Sequence, residues 1–341
     1  VFERGNWLVK GKQVEPDVPQ SLGGLPAKAP RNRLGLARWV TDKNNPLTAR
    51  TMVNRLWEQL FGNGLVETLE DLGTQGAEPT HRELLDFLAW RFMNEDQWSV
   101  KKILKELVLS ATYRQDSRMT KELLDKDPQN RFYARGPRVR LSAEQIRDQA
   151  LAVSGKLNEE MYGPSVMPWQ PDGIWMSPWN GDYWKSSAGE EQYRRAIYTF
   201  WKRTAPYPSM ITFDGVGREV CTARRIRTNT PLQALVTLND SVYLELSRYY
   251  AYHMQDISKN KNDAGEQISR GYEGLMFHPI SQGKLSALME LYEDAYSKFK
   301  NDPDRTCEMI GVNNWHTNAQ TAALVVVANA LLNMDEAITK N

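Results

Sequence analysis

Cysteine is almost missing from this 341-residue chain, which has only Cys221 and Cys307. Two thiols cannot by themselves build a cysteine-rich zinc site. No Cys-x-x-Cys or Cys-x-x-Cys-His run occurs, so the chain carries no covalent haem-attachment signature. A disulfide between the two needs an oxidising compartment and a geometry that sequence alone does not supply. An excess of one charge sign is missing too. Lys and Arg number 43 against 42 Asp and Glu, which excludes the broad basic footprint of a dedicated nucleic-acid or anionic-membrane binder. Long apolar runs are also absent. The longest, Ala322 to Leu332, is broken by Asn329 and is far shorter than the roughly 20 residues needed to span a bilayer. Apolar on all sides, it reads as a helix buried inside the protein. The opening residues Val1 to Gly5 have neither an initiator Met nor a charged stretch followed by an apolar one. They show no signal peptide and read as a cut made inside a longer polypeptide. The four histidines, His81, His253, His278 and His316, are scattered and form no His-Glu-x-x-His pair, and no metal site is expected. No nucleophile elbow, phosphate-binding loop or dinucleotide fingerprint appears.

Helix signals dominate what is there. Hydrophobic residues make up 41% and charged ones 25%, the balance of a folded globule. Residues 1–31 hold Pro16, Pro19, Pro26 and Pro30 and read as an extended lead-in. From 32 to 341 the pattern predicts a single α-helical domain. Asn45-Pro46 is a helix start, and Leu47, Val53, Leu56, Trp57 and Leu60 recur at helical spacing until Gly62 or Gly64 stops the run. Capping boxes are expected at Thr80-x-x-Glu83, Ser142-x-x-Gln145, Thr230-Pro231-Leu232-Gln233 and Thr317-x-x-Gln320. Strand signals are thin; Ala196 to Trp201 reads equally as strand or helix. The fold class is mostly α, a multi-helix globular domain with one long irregular segment.

That segment is 161–228, rich in Pro and Gly. Four of the eleven tryptophans fall in it: Trp169, Trp175, Trp179 and Trp184. A loop this long inside a compact domain is usually functional or disordered, and its aromatic load argues against disorder. It also carries the densest cationic region, with Arg194, Arg195, Lys202, Arg203, Arg218, Arg224, Arg225 and Arg227. Guanidinium forks suit a carboxylate, sulfate or phosphate. They also suit fastening a loop that must satisfy its own backbone. Exposed indoles would stack on sugar rings or cations, with Asp172, Asn180 and Asp182 as a wet rim. Buried indoles would supply core where regular structure is missing. Asp214, Glu219, Asp172 and Asp182 have the chemistry for a general acid/base pair or an oxygen-ligand calcium site, but no EF-hand spacing is present and nothing in their arrangement is specific; Asp214 and Glu219 are the catalytic candidates.

Several segments occur in a fixed order: Asn45-Pro46-Leu47-Thr48-Ala49-Arg50, Asn54-Arg55-Leu56-Trp57, Phe61-Gly62-Asn63-Gly64-Leu65-Val66 and Asp71-Leu72-Gly73-Thr74-Gln75-Gly76. Ser110-Ala111-Thr112-Tyr113-Arg114-Gln115, Gly163-Pro164-Ser165-Val166 and Tyr198 to Thr204 follow. Arg218-Glu219-Val220-Cys221 through Arg227-Thr228-Asn229-Thr230-Pro231-Leu232-Gln233-Ala234-Leu235 closes the series. Together they resemble the C-terminal domain of planctomycete-type cytochrome-associated proteins, the domain of unknown function 1553. The resemblance implies an exported, periplasmic or cell-surface protein in which haem c belongs to a missing upstream module. The upstream domains of the same polypeptide would then be its partners. It supplies no catalytic residues.

Three readings stay open. The first is an accessory domain that binds an anionic or carbohydrate ligand, or docks its own cytochrome module, through Trp169, Trp175, Trp179, Trp184, Arg203, Arg218, Arg224, Arg225 and Arg227. The second is an envelope enzyme, an oxidoreductase or polysaccharide-active hydrolase, using Asp214 and Glu219. The third is a pure scaffold.

Overall fold

The computed structural model describes residues 1–174, 183–311 and 315–340. Trp175, Trp179, Asn180 and Asp182 lie outside the described residues. Fourteen α-helices and two two-residue strands are present among the described residues, so the protein is mostly α. The chain divides into two compact units, Val1–Pro137 and Arg138–Asn341.

The first unit begins with a largely exposed lead-in held by short turns, in which Val18 is buried. Helices α1 (Arg33–Val40), α2 (Thr48–Phe61), α3 (Arg82–Asn94), α4 (Val100–Leu109) and α5 (Lys121–Lys126) follow. Asn45 starts α2 by accepting from the Leu47 and Thr48 amides, and Gly62 ends it with a φ of 82°, a conformation glycine adopts without steric cost. Val53, Trp57 and Phe61 of α2 pack with Leu85, Leu88 and Phe92 of α3 and with Ile103 and Leu107 of α4. The Trp57 and Phe61 rings stack at 4.1 Å, and Tyr133 meets both edge-on at 5.1 and 5.7 Å. The buried Asn54 amide pairs with Val66 as a strand edge would, donating to its carbonyl and accepting from its amide, both at 2.9 Å. The motif residues Asn54 and Val66 are therefore a structural clamp.

The second unit contains β1 (Val139–Arg140), α6 (Ala143–Val153), α7 (Pro208–Thr212), α8 (Pro231–Asn239), α9 (Ser241–Ile257), α10 (Ala264–Met276), α11 (Gln282–Lys300), α12 (Pro303–Ile310), α13 (Ala319–Asn333), α14 (Asp335–Ile338) and β2 (Thr339–Lys340). The apolar run sits at its centre. Leu324, Val325, Val327, Ala328 and Leu331 of α13 are fully buried, with α8, α9, α10, α11 and α12 packed around them. β1 and β2 pair antiparallel, Val139 opposite Lys340 and Arg140 opposite Thr339, so the two ends of the unit meet.

Two expected caps differ from the structure. α3 starts at Arg82, and Thr80 instead hydrogen-bonds the Leu65 carbonyl through both its amide and its hydroxyl. α13 is capped by Asn318, whose side chain accepts from the Thr321 amide, one residue beyond Thr317. At α13 the neighbouring Asn318 takes the capping role, whereas α3 starts without a side-chain cap because the Thr80 hydroxyl turns to the Leu65 carbonyl; local spacing reveals neither. The box at Ser142 and Gln145 forms as expected.

Candidate functional site

The irregular segment is tied down from within. Val166 takes one backbone bond from Phe200 and gives one to Tyr198, making a short bridge rather than a strand or helix over 196–201. The key fastening is Arg194. Its side chain is 2% exposed and donates to the carbonyls of Glu160, Tyr162 and Pro164 while lying 4.0 Å over the Tyr198 ring. Arg194 thus fills the role a loop needs to satisfy its backbone, and it is not presented to a ligand.

Downstream the chain forms an Ω-loop, a compact surface loop whose ends are held together. The Thr228 amide donates to Asp214 Oδ2 at 2.7 Å and its hydroxyl to Oδ1 at 2.8 Å. Fully buried Gln233 of α8 donates to the Thr212 carbonyl at 2.9 Å and to Asp214 Oδ2 at 3.3 Å, and its own oxygen accepts from the Thr230 amide. Asp214 sits at a φ of 62°, a left-handed conformation that Asp tolerates because its side chain bonds locally. Gly215 follows because the chain presses against its neighbours. A Cβ there would come 2.6 Å from the Met210 carbonyl oxygen and 3.1 Å from the Trp201 ring.

Two more anchors hold the loop 215–227. Trp201 donates from Nε1 to the Gly217 carbonyl at 3.4 Å, and the Arg218 guanidinium lies 5.0 Å over its ring. Arg225 grips Glu144 of α6 through both terminal nitrogens, at 2.6 and 2.9 Å. Burial opposes the Glu144 charge, but the Arg225 hydrogen bonds overcome it and hold the carboxyl below its ordinary range. Between the anchors Arg218, Glu219, Val220, Cys221, Arg224 and Ile226 are exposed. Arg224 and half-buried Arg227 both hold partners. Arg203 is exposed. Of the described tryptophans named by sequence, Trp169 is 38% exposed, while Trp184 is half-buried, stacked on Tyr207 at 5.9 Å and donating to the Pro168 carbonyl. Asp214 is consumed by the loop base and Glu219 faces solvent, so these two carboxylates have different surroundings.

Sequence reasoning missed a second group, beneath the loop. Arg147 of α6 is 4% exposed; it donates to the Gln192 carbonyl at 2.8 Å and lies 6.0 Å over the Tyr207 ring. Tyr193, Tyr207, Asp240 and Tyr243 all feel its charge. Burial pushes the Asp148 and Asp240 carboxyls up, and also the Tyr207 and Tyr243 phenols. The only trace of this cluster in the sequence is that a charged residue stands on the Ile146–Ala150 face of a helix.

Among the described residues no group of three or more His, Cys, Asp or Glu could hold a metal ion, and no helix is long and apolar enough to cross a membrane. Cys221 and Cys307 are unpaired thiols, both exposed. A family model described as PSD1, protein of unknown function (DUF1553), matches residues 32–292. The chain belongs to this family. The matched stretch takes in the whole Ω-loop, the Arg147 cluster and α8, and it ends inside α11. No curated protein and no solved structure matches the chain.

Proposed function

We propose that this DUF1553 domain is an accessory docking module of a longer exported polypeptide, located in the periplasm or at the cell surface. It contacts a neighbouring module of that polypeptide, one of them cytochrome c-like and carrying the haem. The observation that carries the reading is the Ω-loop. Its ends, Trp201 contact and Arg225–Glu144 pair are all fixed, yet it presents Arg218, Val220, Cys221 and Ile226 to solvent. On the adjoining α8, Leu232, Leu235 and Leu238 are exposed at spacings of three, one apolar helix face. Apolar and arginine side chains on a rigid support suit a protein contact, because a fixed loop loses little freedom on binding. The engagement of both Asp214 oxygens weighs against acid/base work by that residue.

The test uses the exposed thiol of Cys221 as a reporter. A fluorophore is attached there in a Cys307→Ser variant, and the remaining modules of the same polypeptide are titrated in. A saturable signal is expected, and it should be abolished by Ile226→Asp with Leu235→Asp and weakened by Arg218→Glu. Absence of saturation, or binding indifferent to these substitutions, overturns the reading.

A further inference from the structure

Two carboxylates are buried to the same depth in the first unit, Asp96 and Asp127, each 7% exposed. Asp127 is satisfied, accepting from the Arg131 and Phe132 amides at 2.8 and 2.9 Å. Asp96 is not. Its Oδ2 is enclosed without a hydrogen-bond partner, and no ion pair reaches the carboxylate among the described residues. Among the described side chains it is the one carboxylate oxygen left in that state. A buried carboxylate is ordinarily paired or hydrogen-bonded, because burying its charge alone is costly.

The backbone holds it in place. Asp96 follows α3 in a turn where its amide donates to the Arg91 carbonyl and its carbonyl accepts from the Ser99 amide, both at 3.0 Å. Gln97 and Trp98 then take left-handed φ values of 52° and 62°, which non-glycine residues adopt at a steric cost. Trp98 secures the turn, donating its amide to the Phe92 carbonyl and setting its ring edge-on to the Phe92 ring at 5.3 Å.

Asp96 lines an open cavity of about 570 Å³ between the end of α3 and the side of α4. From α4 come Lys102, Lys105, Glu106 and Leu109, which form one stripe of that helix. From α3 comes Arg91, which is already spent on Glu95 at 3.0 Å and Glu106 at 2.6 Å. Lys102 and Lys105 are exposed and hold no ion pair among the described residues. The unspent groups are therefore one anion at depth and two cations at the rim, with the exposed Leu109 side chain beside them.

We propose that this cavity binds a free α-amino acid with an apolar side chain. The ammonium group pairs with Asp96, the carboxylate with Lys102 and Lys105, and the side chain lies along Leu109. A neutral hydroxyl would leave the Asp96 charge uncompensated, and an anion lacking the ammonium would be repelled by it. The site belongs to the first unit, and it stands or falls independently of docking through the Ω-loop.

The experiment is a ligand-observed NMR titration of the full chain with leucine, with isocaproate, which lacks the ammonium, and with isoamylamine, which lacks the carboxylate. Leucine is expected to bind with a Kd on the order of 1 mM, and each analogue at least about tenfold more weakly. Asp96→Asn keeps the shape and removes a buried unpaired charge. It should leave Tm unchanged or higher while weakening leucine at least about tenfold. Lys102→Ala with Lys105→Ala changes two exposed side chains, so Tm should hold while leucine affinity falls about tenfold. This double variant decides should Asp96→Asn fail to fold. No saturable leucine signal up to about 20 mM, analogues that bind as well as leucine, or affinity unchanged in the variants overturns the proposal.

Discussion

Arg225 reaches across 81 residues of sequence to hold both oxygens of Glu144. One end is a surface loop and the other a core helix, so the pair fixes the loop to the body of its unit. Both side chains are less than a third exposed, which distinguishes the pair from the open surface pairs of this chain. Glu144→Gln or Arg225→Ala should cost about 1–3 kcal/mol and expose 215–227 to proteolysis. Arg225→Lys should rescue part of the stability but not the loop protection, because an ammonium cannot fork. Limited proteolysis with mass mapping reads both effects.

The same pair sets a pH response. The Glu144 carboxyl lies below its ordinary range in the folded state, where burial opposes its charge and Arg225 more than compensates. Its contribution is therefore complete above the unfolded carboxyl value of about 4.3, and it is lost as pH falls through the lower folded value. Asp148 runs the opposite way, since burial raises it despite the bond from the Ala196 amide. Asp148→Asn keeps an acceptor for that amide and removes a buried charge. It should raise Tm at pH 7–8 and gain nothing at pH values below the unfolded carboxyl range, about 3.9 for Asp.

Asp214 offers a sharper discrimination between docking and catalysis. Its two oxygens close the loop and its backbone is left-handed. Asp214→Asn should be tolerated best and Asp214→Ala worst, by about 1–3 kcal/mol, because alanine loses the bonds and retains the backbone strain. Binding in the Cys221 assay should follow loop integrity in that order. An Asn variant that keeps stability and binding but loses a turnover activity would instead reinstate the carboxylate as a chemical group.

Asn54 predicts a purely structural loss. Asn54→Ala leaves the Val66 amide and carbonyl without partners in the core, at about 1–3 kcal/mol for each buried group. Asn54→Asp should also destabilise, since a carboxylate cannot donate to the Val66 carbonyl. Denaturant unfolding of the single variants measures both.

The family match ends at residue 292, but the fold does not. α13 lies beyond that point, and its side chains from Leu324 to Leu331 form the middle of the second unit's core. A chain cut at 292 should lose cooperative unfolding by circular dichroism, whereas one ending at 340 should keep it. Retention of a cooperative transition in the shorter chain would show that the core closes without α13.

The helices were readable because their information is local. The buried run 322–332 became α13, the Ser142–Gln145 box capped α6, and Gly62 stopped α2. The described parts of 161–228 hold short turns and the five-residue α7, and the roles of the segment's arginines were not readable. Arg194 and Arg218 have the same chemistry in sequence, yet one is spent on three carbonyls and the other stands exposed over Trp201. What separates them is long-range: residues 160–164 for one and the loop tip for the other. Arg147 was missed for the complementary reason, because a single charge on a helix face gives no hint that tyrosines from two later helices will enclose it.

The antiparallel clasp of Val139–Arg140 with Thr339–Lys340 has a mechanical consequence. Because the strands run oppositely, the entry and exit of the second unit lie at the same end of the clasp. Tension applied between residues 138 and 340 loads these bonds one after another, as a zipper is opened, rather than all together in shear. The clasp should therefore open at low force, handing the load to the bond between the Leu141 amide and the Ile338 carbonyl before it reaches the helical core.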